Sequence, residues 1–314
     1  MAEGTLNRLV PASSFSLGVV RVVVHATFLI SILFTSFSAL GHLPVTILRP
    51  TGAMKLLPWS FYEYLIRPNA MQGFKWCMLL VLVCATVGLI TPLTTKLSLI
   101  LVVFYQGLLR SFGHFNHDEM IAVYFLAVLA FTPCGDGFSI DRLLSKKPRV
   151  RPQFVYSYPV LLMWLLMSWT YFSSALIKLR IAGLHYLSPD NLPALAIFHS
   201  LDNLHDTEFK FAFWLPQVRN YLPAVVAIVL LWEFLFPLVI LRRWRPWILT
   251  FGVVFHLSTL FLMNIFFPFQ LAMYLVFVNW DAVKARLTEK RQELRFNSSL
   301  ATDTVTSANG PSTI

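Results

Sequence analysis

The chain is divided into apolar runs, most of them near 20 residues long, and this division leaves few folds open. About 20 consecutive apolar residues let a helix cross the hydrocarbon layer of a membrane. The runs fall at 15–40, 71–93, 95–113, 118–134, 155–180, 222–241, 246–264 and 267–280. Of 314 residues, 57% are hydrophobic and 13% charged, a balance far too apolar for a soluble domain. The expected fold is therefore all-α. It is a polytopic integral membrane bundle of about eight transmembrane helices, forming a single domain over 1–280. A charged, partly disordered cytoplasmic tail is expected over 281–314.

The first run carries Arg21 and His25 and has no small-residue cleavage site at the usual spacing, so it reads as a retained helix and not a signal peptide. Cys77, Cys84 and Cys134 lie in or beside apolar runs without paired spacing, which suggests neither a disulfide framework nor a zinc site.

The formal charge of +10 is concentrated in three stretches, each following an apolar run: Arg142 to Arg151, Arg242 to Arg245, and Lys284 to Arg295. Basic clusters placed this way report membrane orientation and attract anionic headgroups, so no nucleic-acid partner is expected. Putting all three on one side places both termini in the cytoplasm. Segments 42–70, 114–117 and 181–221 then face the opposite side. Two of them are rich in proline and aromatics, with Pro58, Trp59 and Tyr62 in the first and Phe211, Trp214 and Pro216 in the last. Such composition suits interfacial helices roofing a cavity, or helices packed on the bilayer with no site beneath.

Polar residues within the runs are costly and so informative. Lys178 closes PVLLMWLLMSWTYFSSALIKLR (159–180) at or just inside a membrane boundary. There a lysine snorkels beside Arg180, pairs with an anion, or loses its proton and becomes a base. Glu233 and His256 lie mid-run, and Arg21 or His25 are the expected partners of Glu233 in a buried ion pair. Arg110, His114 and His117 would share one face if their helix continues past Gly113. His114-x-x-His117 could form half a metal site, but further ligands are lacking and no metal is expected. On the alternating topology Lys178, His117 and His256 approach one non-cytoplasmic cavity.

Three segments are together familiar: FNHDEMIAVYFLAVLAFTPCGDGFSIDRLL (115–144), WTYFSSALIKLRIAGLHYL (169–187) and FHLSTLFLMNIFFPFQLAMYLVF (255–277). With the opening FSLGVVRVV (15–23), they resemble the transmembrane domain of vitamin K-dependent gamma-carboxylase and its bacterial relatives, the HTTM family. The resemblance implies that Lys178 is the base that deprotonates a reduced quinone such as vitamin K hydroquinone. His117 and His256 then belong to the catalytic set, while Glu233 matches an acidic position one residue out of register. Arg21, Arg110, His114, Asn116 and Glu233 are the expected substrate- or cofactor-binding residues. In the carboxylase, oxygenation of the hydroquinone yields the strong base that leads to carboxylation of glutamate. This chain ends about where that membrane domain ends, without the large lumenal part, so carboxylation of protein glutamate is not expected. The leading expectation is a membrane enzyme, carboxylase-like or a quinone-dependent oxygenase or lyase, acting on a lipid-soluble small molecule. The competing readings are a transporter or lipid-binding protein using the same residues as a relay, and a structural subunit of a membrane complex.

Overall fold

The computed structural model describes residues 10–113, 118–145, 151–202 and 209–292, and every regular element among them is helical. Eight principal helices carry the architecture: α1 (Ser14–Phe34), α2 (Pro68–Val87), α3 (Thr91–Ser111), α4 (Met120–Ala130), α5 (Phe154–Ala182), α6 (Leu222–Leu235), α7 (Arg245–Met263) and α8 (Pro268–Met273). Among the described residues, six helical segments are long and apolar enough to cross a membrane: α1, α2, α3, α7, and the longer stretches Phe154–Leu187 and Phe211–Ile240 that contain α5 and α6. The chain is an integral, multi-pass membrane protein. The expected fourth and eighth spans are shorter apolar helices, Met120–Ala130 and Pro268–Phe277.

Local chemistry sets the helix ends. Ser13 caps α1 by accepting from the backbone N–H groups of Phe15 and Ser16. Its hydroxyl in turn donates to Asp281 at 2.5 Å, and Ser16 donates to the same carboxylate at 2.8 Å. A carboxylate at this end also complements the helix dipole, so the helix over 280–292 is pinned against the start of α1. Proline opens α2, where its missing N–H costs nothing, and Gly88 at φ +75 closes it. The first run differs from expectation: α1 stops at Phe34, and a separate short helix, Phe37–Gly41, begins after the cap at Ser36.

Apolar side chains fill the interior and also cover the outer surface. In α1, Leu17, Val20, Val24, Phe28 and Ile32 recur at helical spacing and are buried. Large apolar side chains such as Leu80, Ile100, Trp169 and Trp247 are exposed, as suits a surface in contact with lipid. The largest fully buried side chain among the described residues is charged. Arg21 is fully buried and donates to the carbonyls of Thr86 at 3.2 Å, Phe138 at 2.6 Å and Cys134 at 3.3 Å. It thereby fastens α1 to the end of α2 and to the loop after α4. His25, one turn on, bonds the carbonyl of Arg21 at 2.9 Å and the Ser98 hydroxyl of α3 at 3.0 Å.

Beside this clamp, Asp141 accepts from the backbone N–H groups of Ile90 at 2.8 Å and Thr91 at 2.6 Å, capping α3 from a distant segment. Burial alone would push this carboxyl up, but the Thr91 and Ile90 hydrogen bonds outweigh it and hold the group below its ordinary value. Its contribution to stability is therefore present above the unfolded-state pKa and is lost as pH falls through the lower folded value. Asp141→Ala should cost about 1–2 kcal/mol of stability at neutral pH, the usual worth of a helix cap. Thermal unfolding in detergent checks this: the gap from wild type should persist at pH 7 and shrink only in acid below about pH 4.

Candidate functional site

α5 presents Tyr171, Ser174 and Lys178 at positions i, i+3 and i+7, which a helix turns to one face. α6 and α7 lie against that face and contribute Glu233 and His256. The Lys178 ammonium donates to Glu233 Oε1 at 2.5 Å, and the Ser174 hydroxyl reaches the same oxygen at 3.5 Å. Tyr186, just past the end of α5, places its ring 5.8 Å from Lys178 Nζ. The two partners are unequally covered, with 26% of the lysine side chain exposed and 4% of the glutamate. The amine is therefore the accessible end of the pair, with the carboxylate behind it.

Two turns deeper, the Tyr171 hydroxyl lies 2.7 Å from His256 Nε2 and 2.6 Å from the Tyr274 hydroxyl. Tyr274 follows α8 directly, so this triad joins α5, α7 and the final apolar segment. The Tyr171 ring stacks on Phe236 at 4.2 Å and meets the edge of Trp232 at 4.9 Å. Trp232 precedes Glu233 in α6, so the ion pair and the tyrosine–histidine triad share one interface. Gly252 makes room for it, because a Cβ there would stand 2.3 Å from the Tyr274 hydroxyl. Two polar atoms of this seam, Glu233 Oε2 and His256 Nδ1, are buried with no hydrogen-bond partner among the described residues.

The expected partner of Glu233 is corrected. Neither Arg21 nor His25 approaches it, because Arg21 is held by three backbone carbonyls and His25 by Ser98. The carboxylate belongs to Lys178 instead. Arg110 lies exposed in the last turn of α3, which ends at Ser111, and Gly113 takes φ +86, so this helix does not run on toward His114 and His117. His114, Asn116 and His117 themselves lie outside the described residues. Among the predicted residues, Lys178 pairs with Glu233, and His256 bonds Tyr171, two turns away on the helix that carries Lys178. Tyr171, Ser174 and Tyr274 were not singled out by the sequence, although the seven-residue spacing from Tyr171 to Lys178 was there to be read.

Compared with protein-family models, with characterised proteins and with solved structures, the chain finds no match. What fold and site define is an all-α, multi-pass membrane protein with a half-buried ion pair and a tyrosine–histidine triad on one helix interface.

Tyr171→Phe should remove the hydroxyl that joins His256 to Tyr274 and leave both ring nitrogens of a buried histidine unpaired. The expected cost is about 1–3 kcal/mol. Denaturation in detergent checks it, and an unchanged midpoint would separate the triad from the stability of the bundle.

Proposed function

We propose that the protein is a membrane-embedded enzyme of the HTTM type, related to the membrane domain of vitamin K-dependent gamma-carboxylase. Its substrate is a quinone-like or other lipid-soluble molecule, and Lys178 is the general base. The observation that supports this reading most is the pairing of Lys178 with Glu233 on an interface that also carries a buried histidine and two tyrosines.

Taking both charges out of water narrows the gap between an ion pair and a neutral amine beside a carboxylic acid. Glu233 Oε1 can hold the proton that Lys178 gives up, which leaves a lone pair on Nζ at the exposed end of the pair. That amine then takes a proton from an acidic hydroxyl brought within hydrogen-bond reach. Glu233, itself reached by the Ser174 hydroxyl, holds the lysine in place, and the Tyr186 ring lies beside it. A reduced quinone, when bound, supplies the acidic hydroxyl and the reducing electrons. The residues present fit such a ring, since aromatic groups line the interface and Glu233 Oε2 and His256 Nδ1 retain hydrogen-bonding capacity.

The topology proposed with it has eight crossings, α4 and α8 being the short ones. Both termini and the basic stretches 142–151, 242–245 and 284–295 are cytoplasmic, and the helices of 37–65 and 183–221 lie in the opposite interface. In support, Ser13 near the N-terminus bonds Asp281 beside the third basic stretch, which brings the two ends of the described chain to one side.

The same ion pair also favours a second reading, a transporter in which Lys178 and Glu233 relay protons. One pair of measurements separates the two. In detergent, the purified protein should accelerate consumption of vitamin K hydroquinone in the presence of oxygen. Lys178→Arg should insert and unfold like wild type yet lose at least about a hundredfold of that rate, because a guanidinium stays charged. An active arginine variant would remove the base. Hydroquinone-independent proton flux in proteoliposomes, abolished by Lys178→Ala, would favour the relay.

A further inference from the structure

The other end of the bundle holds a second feature that the ion pair does not use. A cavity of about 710 Å³ opens between the start of α1, the first part of α5, the turn at 240–245 and the segment 276–286. Its wall carries Arg242, Arg243, Arg245 and Arg286 and no acidic residue among the described residues, the nearby Asp281 carboxylate being taken up by Ser13 and Ser16, with Trp164 and Trp280 beside the arginines and an apolar floor that includes Val20, Val160 and Phe277. Trp164 lies 14 residues before Lys178 on α5, about 21 Å along the helix at 1.5 Å per residue, so the two sites are separate.

The arginines are not equivalent. Arg245 is committed to the fold, its guanidinium 4.1 Å from the centre of the Trp164 ring and donating to the carbonyls of Val239 at 3.0 Å and Ile240 at 3.1 Å. Arg242, Arg243 and Arg286 are exposed, and none forms an ion pair with a carboxylate among the described residues. Three free guanidiniums converging from two separate chain segments make a strong positive field. A planar guanidinium matches the oxygens of a phosphate through paired N–H donors.

We infer that this cavity binds the phosphate of an anionic phospholipid, with the headgroup held by Arg242, Arg243 and Arg286 and the first carbons of the chains on the apolar floor. Tryptophan and arginine are the residues that sit at headgroup depth. The apolar floor distinguishes this occupant from free phosphate, because an inorganic ion leaves Val160 and Phe277 without a partner. A basic recess among membrane helices has this lipid-binding character in general.

The test uses the full chain in a zwitterionic detergent, titrated with phosphatidylglycerol, phosphatidylcholine or inorganic phosphate and followed by native mass spectrometry and thermal unfolding. Phosphatidylglycerol should bind and raise the unfolding midpoint, while phosphatidylcholine and inorganic phosphate should not. Combined Arg242→Gln, Arg243→Gln and Arg286→Gln should weaken phosphatidylglycerol binding at least tenfold. Arg219→Gln, remote in sequence and paired with Asp190, should leave it unchanged. If the triple variant loses its unfolding transition, Arg286→Gln on the exposed helix over 280–292 carries the test, with binding expected to fall about threefold. Undiminished binding by the variants would overturn the site, and phosphate binding as tight as lipid would overturn its lipid character.

Discussion

Hydrocarbon offers no hydrogen-bond partner, so every polar group carried into it must be satisfied by the protein itself. Arg21 shows what this rule demands. A guanidinium with no exposed surface is tolerated because three carbonyls, freed where α2 ends and where the chain turns after α4, take its two terminal nitrogens, leaving only Nε without a partner among the described residues. Those carbonyls gain as much as the arginine does, since they too would otherwise be stranded. The close approach of Arg21 to Gly88 leaves no space for a Cβ there, so arginine and glycine fix each other's identity. The Lys178–Glu233 pair answers the same demand through one oxygen, joining α5 to α6 through charge where the surrounding contacts are apolar, while Glu233 Oε2 stays without a partner among the described residues.

How much of this was legible in the sequence depends on the range of the interaction. Six long apolar segments could be read because length and hydropathy alone decide whether a helix can span hydrocarbon. Their ends were less visible. Thr35, in an extended conformation, ends α1 inside a run that stays apolar up to Leu40, and only the cap at Ser36 marks the break. Lys178, Glu233 and His256 stood out as polar residues in apolar context, but their pairing did not. Which cation meets Glu233 depends on the rotation of α6 against α5 and α1, and that is set by packing across the bundle. Tyr171 and Tyr274 escaped notice for another reason: tyrosine in an apolar run reads as an interfacial aromatic until a partner for its hydroxyl is known.

The two ends of the bundle carry different chemistry. The end with Lys178 concentrates groups able to pass a proton, sheltered by Tyr186 and backed by a nearly buried carboxylate. At the other end guanidiniums gather with tryptophan at the mouth of an apolar recess. A membrane enzyme drawing substrate from the bilayer needs both a site reachable from lipid and a firm seat in the membrane, and the proposed roles divide along that line.

Everything proposed for the site depends on Lys178 and Glu233 acting as one unit. A double-mutant cycle measures this directly, with unfolding free energies in detergent for Lys178→Met, Glu233→Leu and the combined variant. Removing one partner strands the other charge, and each single change should cost about 3–5 kcal/mol, while the double variant should be restored to within about 1–2 kcal/mol of wild type. Additive losses in the double variant would contradict the account and leave Lys178 as a membrane anchor.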